Sequence, residues 1–131
     1  MIVLDSSVLV EMLIGGHERA SLLRRKLIET PAMAPYHIDL EVFSALRRYE
    51  RLGRLSKDRG AMAVVDLGDF PIERVPHRQF RQRIWELRHN MTPYDAVYVA
   101  LAELFDAPLW TFDKRLANAP GARCEIVVPS V

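Results

Sequence analysis

Five short apolar runs punctuate the chain, at Ile2 to Leu4, Ala32 to Ala34, Ile72 to Val75, Leu109 to Phe112 and Ile126 to Val128, and longer segments of helical periodicity separate them. Strands joined by helix-length crossovers predict a parallel sheet covered on both faces by helices. The expected helices cover Ser7 to Ile14, Glu18 to Glu29, Asp39 to Leu52, Lys57 to Leu67, Arg78 to His89 and Tyr94 to Phe105, with a short turn of helix after Asp113. Within 131 residues, half of them hydrophobic, this alternation fits a single domain over residues 1–131, with no repeat or low-complexity tract.

Two helices carry distinct patterns. From Asp39 onward, Val42, Ala45, Leu46, Tyr49 and Leu52 form an inner stripe bordered by Glu41, with Arg47, Arg51 and Arg54 on the opposite side. The segment YDAVYVALAELF is apolar on nearly every side, the mark of a helix enclosed by the core. Its first turn nevertheless contains Asp95.

Ligands of parallel sheets bind outside the carboxyl ends of the strands, where strand order reverses. Four acids fall on that edge. Asp5 ends the first strand, Glu41 lies in the first turn after the second, Asp95 opens the enclosed helix, and Asp113 follows LWTF. Each has a structural explanation: Asp5 and Asp113 stand at N-cap positions, and Thr92-Pro93-Tyr94-Asp95 has the form of a capping box with Pro at the first helical position. Taken together they are costly, because carboxylates crowded at one edge repel one another and burial of an unpaired one costs several kcal/mol, roughly. A divalent cation removes that repulsion. Oxygen-only donors favour Mg²⁺, with Mn²⁺ as substitute, over zinc, and such a cluster suits phosphodiester chemistry.

The totals exclude little. Eighteen Lys and Arg stand against seventeen Asp and Glu, a balance that neither demands nor forbids a nucleic-acid partner. Cys124 is alone, so no intrachain disulfide forms, as fits a reducing cytosol. No run reaches the roughly 18 apolar residues of a membrane helix, and Asp5 and Glu11 interrupt the apolar N-terminus, so a cytoplasmic protein with no membrane partner is expected.

The stretches VLDSSVLV, APYHIDLEVFSALRR and TPYDAVYVALAELFDAPLWTFDKRLA, with Thr111, Asp113 and Leu116 in a T-x-D-x-x-L signature, resemble the PIN-domain ribonucleases, in particular the VapC toxins of type II toxin–antitoxin pairs. The resemblance runs nearly end to end. It implies a three-layer α/β/α sandwich around a parallel five-stranded sheet. It also implies a metal-binding catalytic quartet of Asp5, Glu41, Asp95 and Asp113, with Ser7 and Thr111 supporting the site by hydrogen bonds. The implied reaction is endonucleolytic hydrolysis of RNA by metal-activated water, leaving a 3′-hydroxyl and a 5′-phosphate, with one or two Mg²⁺ ions. No His base is then needed. His37 and Glu41, one helical turn apart, have a spacing that also admits a shared metal.

The same likeness implies a homodimer and a heteromeric complex with a cognate VapB-type antitoxin, part of whose groove is expected at Met12 to Ile14 and along the Arg-rich helix from Asp39. Arg47, Arg51, Lys114 and Arg115 are candidate RNA contacts, among a larger set that includes Arg24, Arg81 and Arg83. Tyr94, Trp85 and Trp110 are candidates for base stacking, although core packing explains Trp110 better. Two other readings stay open: a housekeeping RNA-processing nuclease, and a non-catalytic RNA- or protein-binding module whose acids only cap helices. A haloacid-dehalogenase-like phosphatase is disfavoured because its D-x-D pattern has Ser7 in place of the second acid, and a response-regulator receiver because PIERVP is followed by no Asp.

Overall fold

The computed structural model describes all 131 residues, Met1 to Val131. Its strands are β1 (Ile2–Leu4), β2 (Ala32–Pro35), β3 (Ile72–Val75), β4 (Leu109–Trp110) and β5 (Ile126–Val127). All pair in parallel in the order β3-β2-β1-β4-β5. The chain moves outward from β1 to β3 and then returns to lay β4 on the other side of β1. Strand order therefore reverses between β1 and β4, which makes the crevice at their carboxyl ends the natural ligand position.

Seven helices flank the sheet: α1 (Ser6–Ile14), α2 (His17–Glu29), α3 (Ile38–Arg51), α4 (Lys57–Asp69), α5 (Arg81–Glu86), α6 (Pro93–Leu104) and α7 (Lys114–Ala117). Helix α1 packs against α2, α3 and α4, whereas α6 lies along β1, β2 and β4 with α5 against it. As its all-round apolar pattern predicts, α6 is buried continuously from Ala96 to Ala102. One core joins 32 hydrophobic residues from both layers. No helix is long and apolar enough to cross a membrane.

Three expectations need correction. The segment from Arg78 to His89 is a 3₁₀ turn (Arg78–Phe80) followed by the short α5, and the chain beyond Glu86 closes in tight turns. Leu52 is exposed rather than part of the α3 stripe: it caps the helix, and the chain reverses at Gly53, whose φ of 73° is open to glycine without strain, so that Leu55 enters the core instead. The fourth strand ends at Trp110, two residues early, because the next backbone donor but one, Phe112 N–H, turns to a side chain of α1.

Candidate active site

The carboxyl ends of β1 and β4 are tied together through one carboxylate. Asp5 is 5% exposed and sits in extended conformation before α1. Its Oδ1 accepts from the N–H groups of Ser7 at 3.0 Å and Val8 at 3.4 Å and from the Ser7 hydroxyl, while Oδ2 accepts from the Thr111 hydroxyl. Both hydroxyls also accept: Ser7 Oγ from Phe112 N–H at 2.9 Å, and Thr111 Oγ1 from Asp113 N–H at 2.9 Å. Asp5 is thus a helix cap and a strand tie at once. Burial still dominates its ionisation, raising the carboxyl to about 6 against the four donors that favour the anion.

Glu41 projects from the first turn of α3 and accepts a hydrogen bond from the Tyr98 hydroxyl at 2.6 Å. Burial raises its carboxyl, and the charge of Asp95 adds to the effect, against the Tyr98 bond that lowers it. Asp95 stands in the first turn of α6, where Thr92 Oγ1 accepts from Asp95 N–H at 3.2 Å. Only that half of the capping box forms. The Asp95 carboxyl is raised by burial and then by the charge of Asp113. Asp113 caps α7 by accepting from Arg115 N–H at 2.9 Å.

The four acids therefore reach one edge, as the strand and helix ends require, but as a chain of neighbours rather than a closed cage. Asp95 is coupled to both Glu41 and Asp113, and Asp113 is linked to Asp5 through Thr111. No three acidic, imidazole or thiol groups are close enough to form a ready-made cluster. The donors of the set are all oxygens, the ligand type of a hard cation such as Mg²⁺ rather than of structural zinc. Burial holds the Asp5, Glu41 and Asp95 carboxyls above the ordinary range, with a neighbouring like charge adding to it at Glu41 and Asp95, and a dication relieves that repulsion.

Other candidates are distributed differently. Arg47 and Arg51 are exposed on α3, and Lys114 and Arg115 are exposed beside Asp113, with Arg115 3.8 Å from its carboxylate. Arg83 is not free for RNA: it forks onto Glu103 at 2.7 and 3.0 Å, and Arg24 lies 3.5 Å from Asp66. Met12 and Leu13 are buried in the core, and both also line a small groove of about 230 Å³ together with Gly15, His17 and Arg24. Trp110 packs on the core, whereas Trp85 and Tyr94 are largely exposed. His37 donates from Nε2 to the Tyr94 carbonyl at 3.1 Å and lies 3.4 Å from Glu41, so that nitrogen is engaged within the protein.

Sequence reasoning missed Tyr98 as the partner of Glu41. A signal was present, since a Tyr in an otherwise apolar buried helix must find an acceptor for its hydroxyl, and Tyr98 follows Asp95 by one turn.

The PIN domain family model matches residues 2–122. Ribonuclease VapC1 of Mycobacterium tuberculosis is 42% identical over 125 residues, covering 95% of this chain and 94% of that protein. Ribonuclease VapC12 of the same species is 40% identical over 126 residues, covering 96% and 97%. Among solved structures, M. tuberculosis VapC20, described as a sarcin-ricin loop cleaving toxin, superposes with a TM-score of 0.60 at 22% identity over 88% of this chain and 92% of that one. A toxin–antitoxin complex from Klebsiella pneumoniae gives 0.62 at 20% identity over 99% and 98%. These two likenesses speak for the fold, and the closer sequence matches for the lineage. A five-stranded parallel sheet with its acids at the β1/β4 switch point, matched along nearly the whole chain, belongs to the PIN-domain family and, within it, to the VapC ribonucleases.

Proposed function

We propose that this protein is a Mg²⁺-dependent endoribonuclease, the toxin of a VapBC-type toxin–antitoxin module. The observation that carries the reading is the position of Asp95, coupled on one side to Glu41 and on the other to Asp113. Neither Glu41 nor Asp95 spends its carboxylate on capping its own helix in the way Asp5 does, so helix capping alone does not account for the set. That weighs against a non-catalytic module.

In this reading Asp5, Glu41, Asp95 and Asp113 hold Mg²⁺, or Mn²⁺ in its place. The chemistry the ion supplies when bound is water of lowered pKa and neutralisation of phosphodiester charge. The protein's own groups set the stage for it. Ser7 and Thr111 fix the Asp5 carboxylate by donating to both of its oxygens, and Tyr98 fixes Glu41. Lys114 and Arg115, exposed next to Asp113, and Arg47 and Arg51 on α3 provide cations for the RNA backbone.

A cognate VapB-type antitoxin, with a toxin homodimer as its platform, completes the proposal. The kinship with VapC ribonucleases and the resemblance of the fold to a toxin–antitoxin complex support it. The test is calorimetric titration of Mn²⁺ into wild type and Asp95→Asn, with cleavage of a single-stranded RNA followed in Mg²⁺ and in EDTA. Metal binding and cleavage both lost in the variant, with the fold retained, is the expected result. Absence of Mn²⁺ binding in wild type, with cleavage indifferent to Asp95, sinks the reading. Expression toxicity relieved by a neighbouring gene product separates the toxin from a housekeeping nuclease.

A further inference from the structure

Beside the acidic edge, between α5, the start of α6 and the loop before α3, lies a cavity of about 330 Å³ that the catalytic reading leaves without a role. Its floor is apolar, formed by Ile84 and Val97. Around the floor stand His37, His77, Arg81, Trp85 and Tyr94, two exposed aromatic rings among three nitrogen-bearing side chains and no acid. Trp85 is 67% exposed and Tyr94 64%, which is unusual for rings of this size on a surface with no partner.

The rings are held rather than loose. The guanidinium carbon of Arg88 lies 4.6 Å from the centroid of the Trp85 ring, and Arg88 Nη1 donates to the Trp85 carbonyl at 2.8 Å. The His37 ring is tilted against Tyr94 with centroids 6.1 Å apart. Because the Tyr94 carbonyl can only accept, the proton of His37 is on Nε2, and Nδ1 is left as an acceptor. The cavity thus offers flat apolar faces, a hydrogen-bond acceptor and one cation, Arg81, a combination suited to an unpaired nucleobase with its phosphate. The volume is at the small end of ligand pockets, ~300–1,000 Å³, as a single base requires.

Continuity with the acids decides the occupant. His37 lies 3.4 Å from Glu41, and Tyr94 is the residue before Asp95, so a group in the cavity is one short step from the catalytic edge. We propose that this cavity is a base-recognition subsite, holding one unstacked base of single-stranded RNA next to the bond that is cut, with Trp85 and Tyr94 as stacking surfaces and His37 as a specificity-determining residue. The proposal rests on the ribonuclease reading for the identity of the ligand.

The test uses the full chain in a Trp110→Phe background, in which Trp85 is the remaining tryptophan. Short homopolymers of rA, rC, rG and rU are titrated in EDTA, where metal-dependent cleavage plays no part, and Trp85 fluorescence and RNA affinity are followed. Expected are quenching that differs among the four bases and a loss of affinity of roughly 5- to 150-fold in Trp85→Ala. Trp85→Phe retains most of the affinity. On a random-sequence RNA, Trp85→Ala in Mg²⁺ blurs base preference at one position beside the cut while Mn²⁺ binding stays as in wild type. Unchanged affinity and unchanged cut sites in Trp85→Ala overturn the subsite and leave the nuclease reading standing. A dimer that becomes monomeric in sedimentation, with RNA affinity unaltered, overturns it in favour of a second copy of the chain covering the rings. Base-dependent quenching without cleavage under any divalent ion supports the base site and overturns the nuclease reading instead.

Discussion

The Tyr98 hydroxyl donates to Glu41 Oε1 at 2.6 Å, so the most enclosed helix of the fold, which already brings Asp95 to the acidic edge, also anchors a second acid there from its buried side. Burial holds Tyr98 as the neutral phenol, and the Glu41 charge adds to that, which keeps the donor proton in place. Removing the hydroxyl in Tyr98→Phe leaves Glu41 partly buried with no donor from α6. The expected outcome is Mn²⁺ affinity lowered ~10- to 100-fold, as for other residues that orient a metal ligand. Stability falls by about 1–2 kcal/mol. Calorimetry and urea melts measure the two effects separately.

Asp95→Asn removes a charge that raises the Glu41 carboxyl and that is itself opposed by the charge of Asp113. Cleavage drops below detection, while the melting temperature in EDTA stays level or rises, since repulsion at the edge is relieved. A marked fall in melting temperature shows instead that the carboxylate is a structural cap.

The raised carboxyl of Asp5 gives a pH signature to the metal-free protein. Its ordinary value is 3.8 and its value in the fold about 6, so the folded state binds this proton more tightly than the unfolded chain. Stability from this group is fully present below the ordinary value and is lost as pH rises through about 6, by about 3 kcal/mol. Glu41 and Asp95, also raised, act in the same direction. Denaturation in EDTA therefore shows lower stability at about pH 8 than at about pH 5. Asp5→Asn flattens that slope, and added Mg²⁺ restores stability at the higher pH.

Arg83 and Glu103 form a different kind of pair. The guanidinium forks onto the carboxylate, reaches the Gly121 carbonyl at 2.8 Å, and thereby fastens α5 to α6 and to the loop before β5. Burial alone raises Glu103, but bonds from Arg83 and from Arg123 N–H outweigh it and hold the carboxyl below its ordinary value. Stability from Glu103 is present above that ordinary value and is lost in acid, as pH falls through the lowered one. Arg83→Met costs about 2–4 kcal/mol in chemical denaturation, and Arg83→Met with Glu103→Leu recovers part of it.

Lys114 and Arg115 differ from Arg83 in being exposed and unburdened by a buried partner. Alanine at both weakens single-stranded RNA binding and lowers the slope of log affinity against log salt by roughly 0.7 for each phosphate left without its cation. Filter binding across a salt series reads the slope directly.

The sheet, its order of elements and the meeting of the four acids at one edge were legible because they follow from short apolar runs, helix periodicity and cap residues. What was illegible depended on interactions between distant segments. Nothing local to LWTF shows that Phe112 N–H prefers Ser7 Oγ, 105 residues away, to a strand neighbour, so the fourth strand read too long. Leu52 continued the helical stripe, yet the reversal at Gly53 took it out of the core. Arg83 looked like its exposed neighbours because Glu103, which claims it, lies on another helix. The cavity beside the acids was invisible for the same reason: His37, Trp85 and Tyr94 come from three separate segments.

The double duty of Asp5 bears on how an inert form of this protein is best made. Its carboxylate closes the start of α1 and, through Thr111, the end of β4, so replacing it disarms the edge and loosens two strand ends in one stroke. The Asp95 carboxylate has only the Thr92 side chain at the start of its own helix as a bonding partner and ties no strand. A disarmed chain meant to capture RNA or an antitoxin in native form is therefore better built at Asp95, and any binding defect seen after changing Asp5 reports on misplaced scaffold as much as on missing chemistry.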